Sequence, residues 1–303
     1  MKLQKRARTC ICISLAIMVI AALLSIFGLG INFGIDFAGG LNIQYDMGSP
    51  FKQADVEEVL NSLNISDYVI SSSGSDGSKL QIRIARLDDD DEIQTLQNSL
   101  ETALLPLYPN MDTKTSAASY VGPVAGKVLI QNAIWSVVIA SVLMLVYIAI
   151  RFDFASGLAA VIGLIHDVLM MLAFMVLLRN FIQMNSSYIA AMLTIVGYSI
   201  NNTIIIFDRI RENKNNAKTS GLDRNEIVTL SVKECLGRTI NTTLTTLVTI
   251  LVLFILGVAS IKEFSLPIII GILAGAYSAN LINGYVWAAL ETAFAGKKST
   301  KKA

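Results

Sequence analysis

Charge is what this sequence has least of. Only 16% of its 303 residues are Asp, Glu, Lys or Arg, against about a quarter in an ordinary soluble domain, which excludes a chain built only of soluble domains. The net charge of +1 gives no basic field that would point to nucleic acid. Cysteines number three, Cys10, Cys12 and Cys235. None lies in the long polar segment, so no disulfide framework is implied there. Cys10 and Cys12, at the edge of the first apolar stretch, read as small apolar residues in preference to palmitoylation sites. No H-E-x-x-H, G-x-S-x-G or nucleotide P-loop string occurs, so hydrolytic activity is not expected, nor is a metal or cofactor site.

Apolar residues make up 53% of the chain. They gather into six stretches long enough to cross a bilayer as helices, near 10–29, 128–150, 157–178, 187–207, 239–259 and 266–290. The expected fold is an α-helical polytopic membrane protein with a small α+β domain between the first two spans. Its expected organisation is 1–30 as cytoplasmic N-terminus and first helix, 31–127 as the extracytoplasmic domain, and 128–292 as the other five spans with a cytoplasmic loop at 208–238. A basic tail at 293–303 completes it.

The basic residues orient the chain. With the N-terminus inside, sixteen of the 24 Lys and Arg residues are cytoplasmic: Lys2, Lys5, Arg6, Arg8, Arg151, Arg209, Arg211, Lys214, Lys218, Arg224, Lys233, Arg238, Lys297, Lys298, Lys301 and Lys302. The short outer loops carry Arg179 and Lys262, so both termini are expected in the cytoplasm. The first stretch is about as long as a spanning helix requires and lacks a suitable small-x-small site, so an uncleaved anchor is expected rather than a signal peptide.

From residue 41 the periodicity changes. Residues 41–46 alternate as a strand, and 50–63 place Val56, Val59, Leu60 and Leu63 on one helical face. Two further alternating runs, 67–73 and 79–86, flank the turn-rich Gly74-Ser75-Asp76-Gly77. A second helix is expected over 88–105 and a last strand over 113–121. The order β-α-β-β-α-β is the ferredoxin-like pattern. The acidic run 88–91 suits the positive end of the helix dipole better than a cation site.

Polar residues inside the spans are the functional candidates, because hydrocarbon offers no water to satisfy them. His166, the only histidine, sits with Asp167 midway through the third span. Two readings stand for this pair, a proton carrier or a contact that fixes helix register. Asn201 and Asn202 lie about two turns inside the cytoplasmic end of the fourth span. Arg238 opens the fifth, and 238, 242, 245 and 249 share one stripe, so an Arg238-Thr242 face is expected to run inward and join the amides and the His-Asp pair in one cluster. Gly271, Gly275 and Ala279 form a small-xxx-small series suited to close helix packing.

Five strings carry a resemblance: 34–40, GIDFAGG; 120–126, YVGPVAG; 151–168, RFDFASGLAAVIGLIHDV; 197–213, GYSINNTIIIFDRIREN; and 238–246, RTINTTLTT. In that order they resemble the SecF family of protein-export membrane proteins. The resemblance implies one six-helix half of a resistance-nodulation-division (RND) type membrane fold, with SecD supplying the other half. It also implies a SecY-type translocon and unfolded preproteins as partners, a bacterial or archaeal cell membrane, and use of a proton or sodium gradient in late translocation. A structural subunit that assembles the translocon without moving ions is the alternative, and a small-molecule exporter is a weaker third. Arg238 matches the family's membrane arginine. Asn202 departs from the family string S-I-N-D-T, and an amide does not take up and release protons near neutral pH. Three carriers stay open: an aspartate of SecD, the His166–Asp167 pair, or sodium held by amide and hydroxyl oxygens. Gly34, Gly39 and Gly40 are read as relieving backbone strain where the chain leaves the membrane, with Asp36 accepting backbone hydrogen bonds.

Overall fold

The computed structural model describes residues 2–300 apart from 66–67, 74–76, 85–89, 122, 180–181, 220 and 258. Helix α1, Lys2–Ile26, leads through a short helix α2, Ile35–Ala38, into the polar domain. There β1 (Gly40–Asp46), α3 (Gln53–Ser62), β2 (Tyr68–Ser73), β3 (Lys79–Ile84), α4 (Asp90–Leu104) and β4 (Asp112–Val121) follow in turn. The sheet order is β2-β3-β1-β4 with every neighbour antiparallel, which is the ferredoxin-like topology the periodicity predicts.

Alternation decides the domain's core. Leu41, Ile43 and Tyr45 of β1 and Leu80, Ile82 and Ile84 of β3 point to one face of the sheet, which Val56, Val59, Leu60, Leu100 and Leu104 of the two helices cover. Each such side chain contributes roughly 1.5–3 kcal/mol by leaving water. The Tyr45 hydroxyl is enclosed with them, and burial, helped by the charge of Glu101, pushes its ionisation well above the usual phenol range. The acidic run begins outside the described residues, and α4 starts at Asp90. The turn at 74–76 also lies outside them.

The membrane part comprises α5 (Pro123–Arg151), α6 (Phe154–Leu177), α7 (Ser186–Asn215), α8 (Arg224–Leu256), α9 (Ala259–Ser278), a π-helical turn (Ala279–Asn283) and α10 (Gly284–Thr300). Among the described residues six helices, counting α9 to α10 as one, are long and apolar enough to span a membrane. The helices α6, α7 and α9 with its continuation form the buried centre, while α1, α5 and α8 present most of their apolar surface outward. The π turn is a departure from simple helical periodicity, and it carries Asn280 and Asn283 inward.

One expectation needs correction. The charged segment 208–238 is not a loop: α7 runs on to Asn215 and α8 begins at Arg224. Arg, Glu, Lys and Leu are good helix formers, and the extensions are held by ion pairs from Arg209 to Glu212 (2.6 Å) and to Glu234 (2.7 Å). Asn213 donates to Ser231 and Glu234. A reciprocal capping box between Asp223 and Glu226 starts α8. Backbone N–H groups, first that of Arg224, hold the exposed Asp223 carboxyl below the usual range. Cys235, expected in that loop, is therefore buried on α8.

Candidate functional site

Asp167 is completely buried near the middle of α6, and three side chains compensate its desolvation. His166 Nδ1 lies 2.9 Å from Oδ1, Ser199 Oγ of α7 donates to Oδ2, and Ser278 Oγ, the last residue of α9, donates to the same oxygen at 2.9 Å. The other ring nitrogen of His166 sits 2.9 Å from the Tyr277 hydroxyl. That hydroxyl in turn lies 2.5 Å from Ser14 Oγ of α1. Six side chains from four helices thus form one continuous polar network in an apolar bundle, the setting in which ionisable membrane residues are retained for function.

Small residues let the helices approach closely enough. A Cβ on Gly271 would stand 2.4 Å from Ile195 Cγ1, and one on Gly275 would stand 3.1 Å from Ser199 Cβ. These two glycines bring α9 against α7 and set Ser199 and Ser278 on the same carboxylate oxygen, while Ala279 is fully buried beyond them. Gly163 likewise admits Asn283, whose Oδ1 would be 2.3 Å from an added Cβ.

A second polar layer lies about one turn further along α7. Asn283 Nδ2 donates to Thr203 Oγ1 at 2.9 Å, and Thr239 Oγ1 of α8 donates to Asn280 Oδ1 at 3.0 Å. Asn202 is fully buried here, yet neither of its amide atoms has a hydrogen-bond partner among the described residues.

The expected single cluster is therefore divided. His166 and Asp167 are joined, and Asn202 is buried separately from them. Asn201 and Arg238 are exposed and Thr242 is half-buried. The inward stripe of α8 is Ser231, Cys235, Thr239 and Thr243, and Arg238 falls one residue, about 100°, away from it. The stripe 238-242-245-249 consequently faces outward. Its threonines back-bond their own helix, with Thr242 donating to Arg238 O and Thr249 to Thr245 O.

The glycine-rich segment is built into the helix ends beside the polar domain. Gly34 N donates to Met184 O at 2.8 Å. Gly39 (φ +76°) and Gly40 (φ +129°) occupy backbone conformations that favour glycine. Asp36 Oδ2 accepts from Ser186 N at 2.7 Å, placing a carboxylate at the N-terminus of α7, where the helix dipole favours negative charge. Beside it, Arg83 of β3 pairs with Glu263 of α9 at 2.8 Å and donates to Gln183. Glu263 also accepts from Asn185 at 2.7 Å, and Asn185 caps α7. One arginine of the polar domain thus ties down the adjoining ends of both helices whose serines reach Asp167.

The model of the SecD/SecF protein-export membrane protein C-terminal region matches residues 101–293, and that of the SecD/SecF GG motif matches 24–50. The chain is 35% identical over 292 residues to the protein translocase subunit SecF of Rickettsia bellii, covering 95% of this chain and 93% of the relative. The chain belongs to the SecF family. It is also 34% identical to the protein translocase subunit SecDF of Bacillus subtilis, covering 90% of this chain but 36% of that longer protein. Among solved structures, SecDF of Thermus thermophilus, described as a translocon-associated membrane protein, superposes with a TM-score of 0.81 at 31% identity. That match covers 98% of this chain and 39% of the SecDF chain. A SecDF crystal structure in a super-membrane-facing form gives a TM-score of 0.69 at 28% identity, covering 99% and 40%.

Within the SecF family match, 101–293 contains every member of the Asp167 network except Ser14, and the GG-motif match contains Gly34, Asp36, Gly39 and Gly40. Sequence reasoning missed Ser14, Ser199, Thr203, Tyr277, Ser278, Asn280 and Asn283. The signal was present in Tyr277-Ser278-Ala279-Asn280 and Asn283, polar residues inside an apolar span. The adjacent Gly271-Gly275-Ala279 repeat, read as packing alone, masked it.

Proposed function

We propose that this chain is the SecF-side subunit of a SecD–SecF assembly accessory to a SecY-type translocon. It uses an ion gradient to promote late steps of preprotein passage and has no hydrolytic activity of its own. In this reading both termini are cytoplasmic, residues 31–127 are extracytoplasmic, and the membrane is a bacterial or archaeal cell membrane.

The observation that carries the reading is the buried His166–Asp167 network. A fully enclosed carboxylate beside the one imidazole of the chain, held by serines of two further helices, is proton-handling chemistry placed where it adds nothing to solubility. Asn202, which cannot carry a proton, supports the pair as this subunit's carrier. The outward stripe of Arg238 and Thr242, with Asn201 exposed nearby, supports a membrane partner on that face. An exposed arginine is expensive against lipid, and a partner helix bearing an aspartate would neutralise it. SecD is that partner in this reading, and the identity of the SecDF relatives favours it.

The scaffold alternative has one observation in its favour, Asn202, without a partner among the described residues where an acid is expected. Export of a signal-bearing preprotein separates the two in cells depleted of their own SecF and supplied with this chain and its SecD partner. Asp167→Asn is expected to abolish the export that the unaltered chain restores, with the complex still assembled. Normal export with Asp167→Asn would favour scaffolding.

A further inference from the structure

One assignment of protons uses every contact around His166, the Ser14–Cys10 bond included. Ser14 has one hydroxyl proton, and it donates to Cys10 O at 3.0 Å. In the 2.5 Å contact between Ser14 and Tyr277, Tyr277 is therefore the donor and Ser14 Oγ the acceptor. The Tyr277 oxygen then accepts from His166 Nε2, 2.9 Å away, so Nε2 carries hydrogen. His166 Nδ1 and Asp167 Oδ1 share one further proton across 2.9 Å. Asp167 Oδ2 holds none, because Ser199 donates to it and Ser278 donates to it at 2.9 Å, closer than its other acceptor, Gly275 O at 3.2 Å. The pair accordingly holds two protons and is neutral as a unit. Ser14 is buried, whereas Cys10, one turn away, is half-exposed.

We propose that Tyr277 and Ser14 are a proton relay that unloads and reloads the His166–Asp167 pair from the α1 side of the bundle. The proposal rests on the ion-coupled reading above and names the route that reading lacks. In the unloading step the His166 Nε2–H bond breaks as an O–H bond forms on Tyr277. The original Tyr277 proton moves to Ser14 Oγ, and the original Ser14 proton passes to a water molecule at the Cys10 turn. No group is oxidised or reduced. Afterwards Ser14 donates to Tyr277, Tyr277 donates to a bare Nε2, and Nδ1–H donates to the Asp167 carboxylate. The pair has lost one proton and become a single negative charge, and the reverse sequence reloads it.

Two features of the geometry make this a switchable path. While Ser14 donates to the Cys10 carbonyl the relay is closed, because a backbone carbonyl cannot pass a proton onward. Displacement of that bond by water opens it. Around the ring, Asp167 of α6, Tyr277 of α9 and Cys10 of α1 are the titratable groups among the described residues, and α7 offers the hydroxyl of Ser199. Among the described residues no arginine or lysine joins the network, so its charge is set by its own protons.

Because His166 is the only histidine, ¹⁵N-histidine labelling of the full chain in lipid bilayers reports this ring alone. From about pH 5 to about pH 10, the relay requires the ring to lose its Nε2 proton while Nδ1 stays protonated. An ordinary neutral histidine favours the opposite, with Nδ1 bare. A bare Nδ1 after deprotonation, or a ring that keeps the same protons throughout, overturns the relay. In the reconstituted complex, Tyr277→Phe is expected to slow gradient-driven proton movement about 100-fold, whereas Tyr285→Phe, whose hydroxyl contacts Thr229, leaves it unchanged. Equal rates for Tyr277→Phe and the unaltered chain would also overturn it. Absence of proton movement in the unaltered complex would instead remove the ion-coupled reading, and the nitrogen spectra would still judge the relay.

Discussion

Removing the Asp167 carboxylate perturbs the network at its centre, and the geometry sets the size of the effect. Asp167→Ala leaves three donors, His166 Nδ1, Ser199 Oγ and Ser278 Oγ, without their acceptor. Hydrogen bonds between membrane helices average about 0.6 kcal/mol and reach about 1.7 kcal/mol, so three lost bonds amount to about 2–5 kcal/mol. Ser278 has an alternative acceptor in Gly275 O at 3.2 Å, which moves the expectation to about 1–3 kcal/mol. Asp167→Asn keeps the side-chain volume and one carbonyl acceptor for the serines, and should cost about 1 kcal/mol. Reversible unfolding of the chain in bicelles, followed by steric trapping, measures both. Asp167→Ala as stable as the unaltered chain, or no more damaging than Asp167→Asn, would refute the assignment of those three bonds.

Further outcomes follow from other contacts. Gly271→Val drives a branched side chain into Ile195 and should lower stability by about 1–3 kcal/mol, whereas Gly197→Ala, with nothing near its added Cβ, should not; the same unfolding assay compares them. Asn202→Leu replaces a buried amide that has no partner among the described residues and should raise the stability of the isolated chain by about 1–2 kcal/mol, read in the same way. Arg83→Ala leaves Glu263 and Gln183 without their arginine, and faster amide exchange at the starts of α7 and α9 is the expected result. Arg238→Ala alters an exposed side chain and should change the isolated chain's stability by less than about 0.5 kcal/mol, while preprotein export with the SecD partner falls sharply.

Periodicity reveals most of this architecture, and the failures have identifiable causes. The alternation of Leu41-Ile43-Tyr45 and the spacing of Val56, Val59 and Leu60 are legible because each element buries one face only. The length of α7 and α8 is not, since hydropathy ends where lipid ends, whereas Arg209, Glu212 and Glu234 continue the helices in water through ion pairs. Facing was the harder problem at the site. Arg238 and Thr239 are adjacent in sequence, and only the packing against α9 decides that Thr239 turns inward. The π turn at Ala279–Asn283 shifts every later residue off a regular helical wheel, which hid Asn280 and Asn283 from a reading based on 3.6-residue spacing. His166 and Asp167 were legible because their chemistry is costly in a bilayer whichever way the helix faces.

The central claim is that the His166–Asp167 pair couples an ion gradient to protein export. Its most direct test is translocation of a stalled preprotein in proteoliposomes holding the translocon, SecD and this chain, with a proton gradient imposed at fixed ATP. The gradient is expected to speed completion with the unaltered chain and to have no effect with Asp167→Asn. Equal acceleration with Asp167→Asn would contradict the account.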